Sequence, residues 1–578
     1  MEWRRRNGPR GYPRSFVRQE LFSSPREERL PAGQRAVALP RVFCEEADVQ
    51  DAAPAPATNA SAPAGSGAAP APATPSAART AGRGGLAIAF AKVSFIIFGF
   101  AQQLLLERLL GQAGYGQISR VLAIVGVLNN VVVATAIQGV SRVVSTATEE
   151  NVDAAFARTL RVHVALAIVL SLGFALAAGT IAAEVGAPHV ATPLRIVAAV
   201  VLLYGIYAPL VGSLNGRRRF LDQAGLDVGY GLLRTLGMGV GAFVLLRLGG
   251  SGTLGATLGF VSAAALIVPI AITRSGVGKS GTAGPSTREY LGFLGPLALG
   301  QLALNLLLQT DLLLLSRFVG REAGRLGLAA TAADDLIGIY RGVQLFSFLP
   351  YQLLMSVSFV LFPMLAKARA EKSEPLVAEY TRAGVRIALL VTGAVSGTIA
   401  ALAPHVLRFA YKSSAIWEHG GPVLRVLALG MGSFAILGIT SAALTGLGRE
   451  RMSATFNALA VCLVALGCVV VTPRLVFGPP MLFGTAISTS IALGLVAVVA
   501  AIALRREAGA FVAPLSLVRV VVAAAVTVAM GMQLPWLGKP AVLIQGLVTG
   551  ALYLSVLVVT GELGTKDLSL VRKVLGKA

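Results

Sequence analysis

LRVHVALAIVLSLGFALAAGTIAA, running from Leu160 to Ala183, is a stretch of 24 residues whose only formally charged member is Arg161, at its start. About 20 apolar residues in a helix cross the roughly 30 Å hydrocarbon core of a bilayer, so this stretch reads as a membrane-spanning helix. The same pattern recurs on both sides of it. Before it come Leu86 to Leu106 and Ile118 to Val140; after it come Val190 to Val211, Leu226 to Leu246, Leu254 to Ile272, Leu291 to Leu315 and Leu336 to Leu365. Val385 to Ala403, Val423 to Leu444, Ala454 to Val471, Met481 to Leu504, Leu517 to Leu534 and Ala541 to Thr560 complete fourteen runs. The expected fold is all-α and polytopic, with about 14 transmembrane helices.

Composition agrees with this reading. The chain is 55% apolar and 13% charged with a mean hydropathy of +0.72, too apolar for 578 residues in water. Its formal charge of +22 does not indicate nucleic-acid binding, because the basic residues lie in short clusters between apolar runs. That is how cytoplasmic loops look under the positive-inside rule. One set of alternate loops carries Arg142, Arg158 and Arg161, then Arg217, Arg218 and Arg219, then Arg274, Lys279 and Arg288, and later Lys367, Arg369, Arg449, Arg451, Arg505 and Arg506. The other set is sparse. The rich set is expected in the cytoplasm with both termini, in a multi-pass protein of the inner, cytoplasmic membrane.

Residues 1–85 are Arg-rich, then Ala/Pro-rich through APAPATNASAPAGSGAAPAPATPSAA at Ala53 to Ala78. Without apolar periodicity this segment cannot bury a core and is expected to be a disordered cytoplasmic tail, a misplaced start codon being the alternative. Residues 86–273 and 290–504 are expected to form two six-helix bundles joined by a cytoplasmic loop at 274–289, with two further helices and a short tail in 505–578. Two pairs of loops support the internal repeat. ERLLGQAGYG at Glu107 to Gly116 answers SRFVGREAG at Ser316 to Gly324, and GSLNGRRRF at Gly212 to Phe220 answers AALTGLGRERM at Ala442 to Met452.

Five segments carry a family resemblance: RLLGQAGYG after the first run, SLNGRRRF after the fourth, LLLQTDLLLLSRFVG in the seventh, LFPMLAKARAE closing the eighth and ALTGLGRERM after the tenth. In these the chain resembles the polysaccharide and oligosaccharide flippases (O-antigen-flippase-like) of the multidrug/oligosaccharidyl-lipid/polysaccharide exporter superfamily. It is also similar to the lipid II flippases, although GQAGYGQISRVLAIVGVLNN at Gly111 to Asn130 lacks their proline and acid pattern. The resemblance implies two bundles around a cavity that opens alternately to either side. It also implies a polyprenyl-diphosphate-linked oligosaccharide, an anionic glycan carried on lipid, as cargo. A lipid II flippase and a multidrug or cation antiporter of the same superfamily are the alternatives within transport. A membrane scaffold recruiting envelope-biosynthesis enzymes is the alternative of another class.

Ionisable residues inside a span face a partner or a watery cavity, because a charge in the bilayer centre costs about 2.5 to 3.5 kcal/mol. Helical spacing puts Lys92, Gln103 and Glu107 on one face of the first run, and Arg120, Thr135, Gln138 and Arg142 on one face of the second. On the fifth, Asp227 and Arg234 are expected to pair through Tyr230. The eighth carries Arg341, Gln344 and Gln352 in a stripe, with Asp334 and Asp335 at its outer end. Arg341 is the leading candidate for the diphosphate, having no adjacent acid and a guanidinium that can grip phosphate oxygens in pairs. Arg120, Arg142, Lys92, Gln344, Gln138 and Arg234 are further substrate candidates, with snorkelling to the interface the competing reading for Lys92 and Arg142. Asp311, Glu107 and Asp227 are the candidates for coupling to a proton or sodium ion.

No enzyme, cofactor or metal is expected. His163, His189, His405 and His419 lack ligand spacing, the three cysteines lack a framework, and GVGKSG at Gly276 to Gly281 lacks the phosphate-loop spacing.

Overall fold

A computed structural model describes residues 75–564, except 280 and 282. The disorder expected for residues 1–74, and the basic C-terminal tail from 565 on, lie outside the described residues. The described part is helical, without a strand among the described residues. Helix α1 (Pro75–Thr146) takes in the last eleven residues of the segment expected to be unstructured, 75–85. Proline is tolerated in a helix's first turn and the alanines that follow are strong helix formers.

After α1 come α2 (Val152–Glu184), α3 (Ala191–Gly216), α4 (Phe220–Arg247) and α5 (Gly252–Ser275). The second half begins with α6 (Thr287–Leu307) and α7 (Thr310–Arg325), then α8 (Ala330–Ser347) and α9 (Leu349–Ala370). It continues with α10 (Glu374–Ala401), the short α11 (Ala403–Ala410), α12 (Ser414–Gly446), α13 (Glu450–Val471) and α14 (Pro479–Ala508). Helices α15 (Pro514–Gly531) and α16 (Lys539–Val559) close the described chain. Among the described residues twelve helices are long and apolar enough to cross a membrane, and the protein is a polytopic membrane protein.

Each predicted apolar run falls on helix to within a few residues, but three departures from one run per helix have physical causes. The first two runs share α1, whose chain turns at Gly111 with φ 68°, a conformation open to glycine. The seventh run is split between α6 and α7 at Gln309, and the eighth between α8 and α9 just before Pro350. Proline has no N–H and restricts the residue before it, which divides α8 from α9.

Two apolar cores result. One joins α1 to α2, α3, α4 and α5 through residues such as Leu106, Val140, Phe156, Leu194 and Met238. Helices α4 and α5 approach backbone to backbone: a Cβ on Gly241 would stand 2.2 Å from the Gly255 carbonyl oxygen, and one on Gly255 equally close to that of Gly241. Such small-residue contacts associate helices in lipid, where apolar burial gives no drive. The other core surrounds α12, with α8, α9, α10 and α14 packed around it. Three arginine-bearing connections of the first half gather at one end of the molecule. Ser141 donates to Asn215 at 2.8 Å, Arg217 pairs with Asp153 at 2.6 Å, and Arg158 donates to the Gly284 carbonyl at 3.3 Å. The GVGKSG loop packs against α2 there, with Gly278 against the Asp153 carbonyl.

Helices α15 and α16 dock on α10. Just past α16, the buried Glu562 carboxylate takes Arg386 of α10 at 3.0 Å and Arg519 of α15 at 3.4 Å. Burial pushes this carboxyl up, and hydrogen bonds from Arg386, Ser516 and Arg519 outweigh it and hold it below its ordinary value. A carboxyl lowered on folding stabilises the fold above its unfolded value of about 4.3 and loses that contribution as pH falls through the lowered value. Thermal unfolding in detergent should therefore show a drop in midpoint on acidification below about pH 4.3 that is smaller in Glu562→Gln. An identical pH profile in the two proteins would remove Glu562 from this role.

Candidate functional site

The two halves meet at the end opposite the arginine cluster, as they do nearer to it through His163 of α2 and Tyr290 of α6 at 2.8 Å. Gly116 of α1 faces Gly338 of α8, and a Cβ on Gly116 would overlap the Asp334 carbonyl oxygen. This approach brings Arg120 into an ion pair with Asp334, both side chains 0% exposed. Gln117 donates to the same carboxylate at 2.8 Å, and His189, just before α3, reaches it at 3.0 Å. Gln112 donates to the Asp335 carbonyl at 3.2 Å and accepts from Ser413 at 2.6 Å. Ser316 of α7 donates to the Val185 carbonyl at 2.9 Å, and Arg317 pairs with Glu184 at 2.8 Å. Glu107, buried one turn before Gly111, accepts from the Ser413 backbone. Polar contacts between the halves thus close the interface at this end, below called the gate.

Arg120 is thus not a cavity residue in this conformation. Its guanidinium is spent on Asp334, which stands near the start of α8, the end where the sequence placed it, and lies buried between the halves. Asp334, Gln117 and His189 are gate residues that periodicity did not pick out. A closely spaced aspartate pair opening an apolar run was the available signal.

Below the gate, the breaks in α6/α7 and α8/α9 come together. Thr310 donates to the Leu306 carbonyl at 2.7 Å, a back-bond that favours the end of α6, and Asp311 stands in the first turn of α7, where the helix dipole favours an acid. The buried Asp311 carboxylate accepts from Tyr340 at 2.8 Å, Gln344 at 3.0 Å and the Leu312 backbone at 2.8 Å. A void of about 10 Å³, room for about one water, adjoins it between Leu308, Phe348 and Thr489. Gln344 is therefore committed to Asp311 and is not free for a substrate. Arg341 donates to the Gln344 amide oxygen at 3.2 Å. Among the described residues it makes no ion pair, Asp311 standing at one remove through Gln344, and its half-buried guanidinium keeps donors free.

Toward the arginine-rich end the second half is hollow. A cavity of about 520 Å³ lies between α6, α9, α12 and α13, from Tyr351 and Phe434 out to Phe362 and Thr445. Asn130 of α1 crosses from the first half to Asn305 of α6 at 2.9 Å. Gln138 and Arg142 are exposed further along α1, Arg142 lying 4.6 Å above the Phe293 ring. The pairing of Asp227 with Arg234 is corrected: Asp227 binds Lys92 at 3.3 Å, while Arg234 lies 4.7 Å above Phe260. Lys92 itself is 59% exposed, as a snorkelling side chain would be. Among the described residues no cluster of three or more His, Cys, Asp or Glu is arranged to hold a metal.

A family model described as polysaccharide biosynthesis protein matches residues 81–369, half of the 578-residue chain, and the chain belongs to that family. No curated protein matches it by sequence. Among solved structures it is similar to a lipid II flippase in an inward closed conformation, at 15% identity and TM-score 0.66, over 82% of this chain and 97% of that one. A multidrug resistance transporter of the MATE family, of the MOP superfamily, in its inward-facing conformation matches at 16% identity and TM-score 0.58, over 73% of this chain and 98% of that one. An outward-facing structure of such a transporter matches at 16% identity and TM-score 0.53, over 73% and 95%. The fold is that of the flippases and transporters of this superfamily.

Proposed function

We propose that this member of the polysaccharide biosynthesis family is a flippase carrying a polyprenyl-diphosphate-linked oligosaccharide across the cytoplasmic membrane by alternating access. The observation that carries the reading is that the halves join at one end through the buried Arg120–Asp334 pair, while a cavity lies within the second half toward the other end. The arginine-rich end is the cytoplasmic one by the positive-inside rule, so the cavity lies toward the inside. Arg341 lies two turns beyond Asp334 along α8, below the gate, where its free donors could meet a diphosphate. Exposed Arg142 and Gln138 stand near the mouth. Asp311 is the coupling site, a buried acid beside a water-sized void, where a proton or sodium ion would loosen its hold on Gln344 and so on Arg341. Glu107 and Asp227 are secondary candidates for coupling.

Two experiments test this. Reporter fusions at Gly250 and Gly278 should report opposite sides of the membrane, with Gly278 inside; the same side for both would overturn the assignment of ends. Full-length protein in liposomes should move an undecaprenyl-diphosphate-linked oligosaccharide between leaflets, read by protection of the sugar from an added glycosidase. No movement above empty liposomes, under an imposed proton or sodium gradient, would exclude the function. Competition of that movement by organic cations but not by lipid-linked sugar would favour a multidrug antiporter.

A further inference from the structure

The 520 Å³ cavity is of a size that holds a drug-sized ligand, and its chemistry differs from that expected of a diphosphate site. No Lys, Arg, Asp or Glu lines it. Its walls are apolar and aromatic, with Tyr351 and Phe434 packed at 4.4 Å between ring centroids, and with Leu354, Met355 and Ile439 beside them. Uncharged polar groups interrupt them: Gln301, Ser358, Ser441, Thr445 and Asn457. Among the described residues the side-chain amides of Gln301 and Asn457 make no hydrogen bond, and the Ser441 hydroxyl, on a residue 8% exposed, has no partner. The buried Ser441 hydroxyl, left unpaired, calls for a ligand or water, and the half-buried amides of Gln301 and Asn457 are open to bond one.

Each charge class fails to match this lining. A diphosphate would find no cation and an organic cation no acid. A prenyl tail would fill the apolar surface but strand the two amides and the Ser441 hydroxyl. A neutral sugar bearing acetyl groups fits all of it: its ring face and methyl groups lie on aromatic and aliphatic surface, and its hydroxyls and acetamides pair with side-chain amides. Arg341 belongs to α8 and Tyr351 to α9, on either side of the break at Phe348, so the sugar read here lies along the chain from the diphosphate and not beside it.

Resting on the flippase reading above, we propose that the cavity between α6, α9, α12 and α13 is a sugar subsite. It selects uncharged N-acetylated units of the cargo through Tyr351, Asn457, Gln301 and Ser441, separately from the diphosphate. The test compares two probes on the full chain in nanodiscs: undecaprenyl diphosphate alone, and undecaprenyl diphosphate bearing a neutral N-acetylhexosamine trisaccharide. The glycosylated probe should bind wild type at least about tenfold more tightly, the scale of one good hydrogen bond to an otherwise unpaired group. Tyr351→Ala and Asn457→Ala should erase that difference and leave the affinity for bare undecaprenyl diphosphate unchanged, which also shows that the variants are folded. Tyr351→Phe should keep it, since the ring face remains. Equal affinity of wild type for the two probes overturns the subsite while leaving the flippase reading intact. So does an equal loss for both probes in Tyr351→Ala. Failure of wild type to bind either probe overturns the flippase reading and the subsite with it.

Discussion

Replacing Asp334 with alanine is expected to open the gate and stop transport. The substitution leaves the Arg120 guanidinium fully buried with its counter-ion gone and its Nε and Nη2 already without partners. Removing one partner of a buried ion pair costs about 3 to 5 kcal/mol. The molecule escapes that cost by parting the halves at this end and hydrating Arg120, which shifts the balance between closed and open states by more than about a hundredfold. Ser119, beside Arg120 and 0% exposed, reports the change. A cysteine placed there should stay unlabelled by a membrane-impermeant maleimide in an otherwise wild-type chain and become labelled in Asp334→Ala. Arg120→Ala/Asp334→Ala, which strands no charge, should return labelling and membrane abundance most of the way to the parent, giving a coupling between the two sites of at least about 3 kcal/mol. Unchanged labelling in Asp334→Ala would show that the pair does not hold the gate.

The contrast between Arg120 and Arg341 shows what periodicity carries and what it omits. Apolar run length gave the helices, because in lipid each backbone group must be satisfied within its own segment. Loop charge separated the two ends. Partnership was beyond it. Arg120 and Asp334 are more than two hundred residues apart and meet only because Gly116 and Gly338 let α1 and α8 touch. Lys92 took Asp227 from Arg234 in the same way, across helices the linear chain does not align. The breaks before Asp311 and Pro350 left some local trace, in Thr310 and in the proline. Their meeting beside one void did not, and neither did the uncharged cavity, whose residues are common in any membrane helix.

Arg341→Ala is expected to lower translocation of the lipid-linked glycan about ten- to a hundredfold at near wild-type membrane abundance, the range set by charge-assisted hydrogen bonds of about 1.5 to 3 kcal/mol. The argument starts from what the guanidinium does in the closed-gate state. Among the described residues it makes one hydrogen bond, to the Gln344 amide oxygen, and it remains half-buried. Its loss therefore takes little from the fold, unlike loss of Asp334, and Gln344 keeps its bonds to Asp311. A diphosphate arriving below the gate loses its paired donors. Arg341→Lys keeps the positive charge without the planar fork, so it should restore only part of the rate. A purely structural arginine would behave differently, lowering folded protein in Arg341→Ala and recovering it in proportion with lysine. Rates normalised to protein in the membrane separate the two. Normal translocation by Arg341→Ala would remove this residue from cargo recognition, and a loss matched by depleted protein would assign it to the fold.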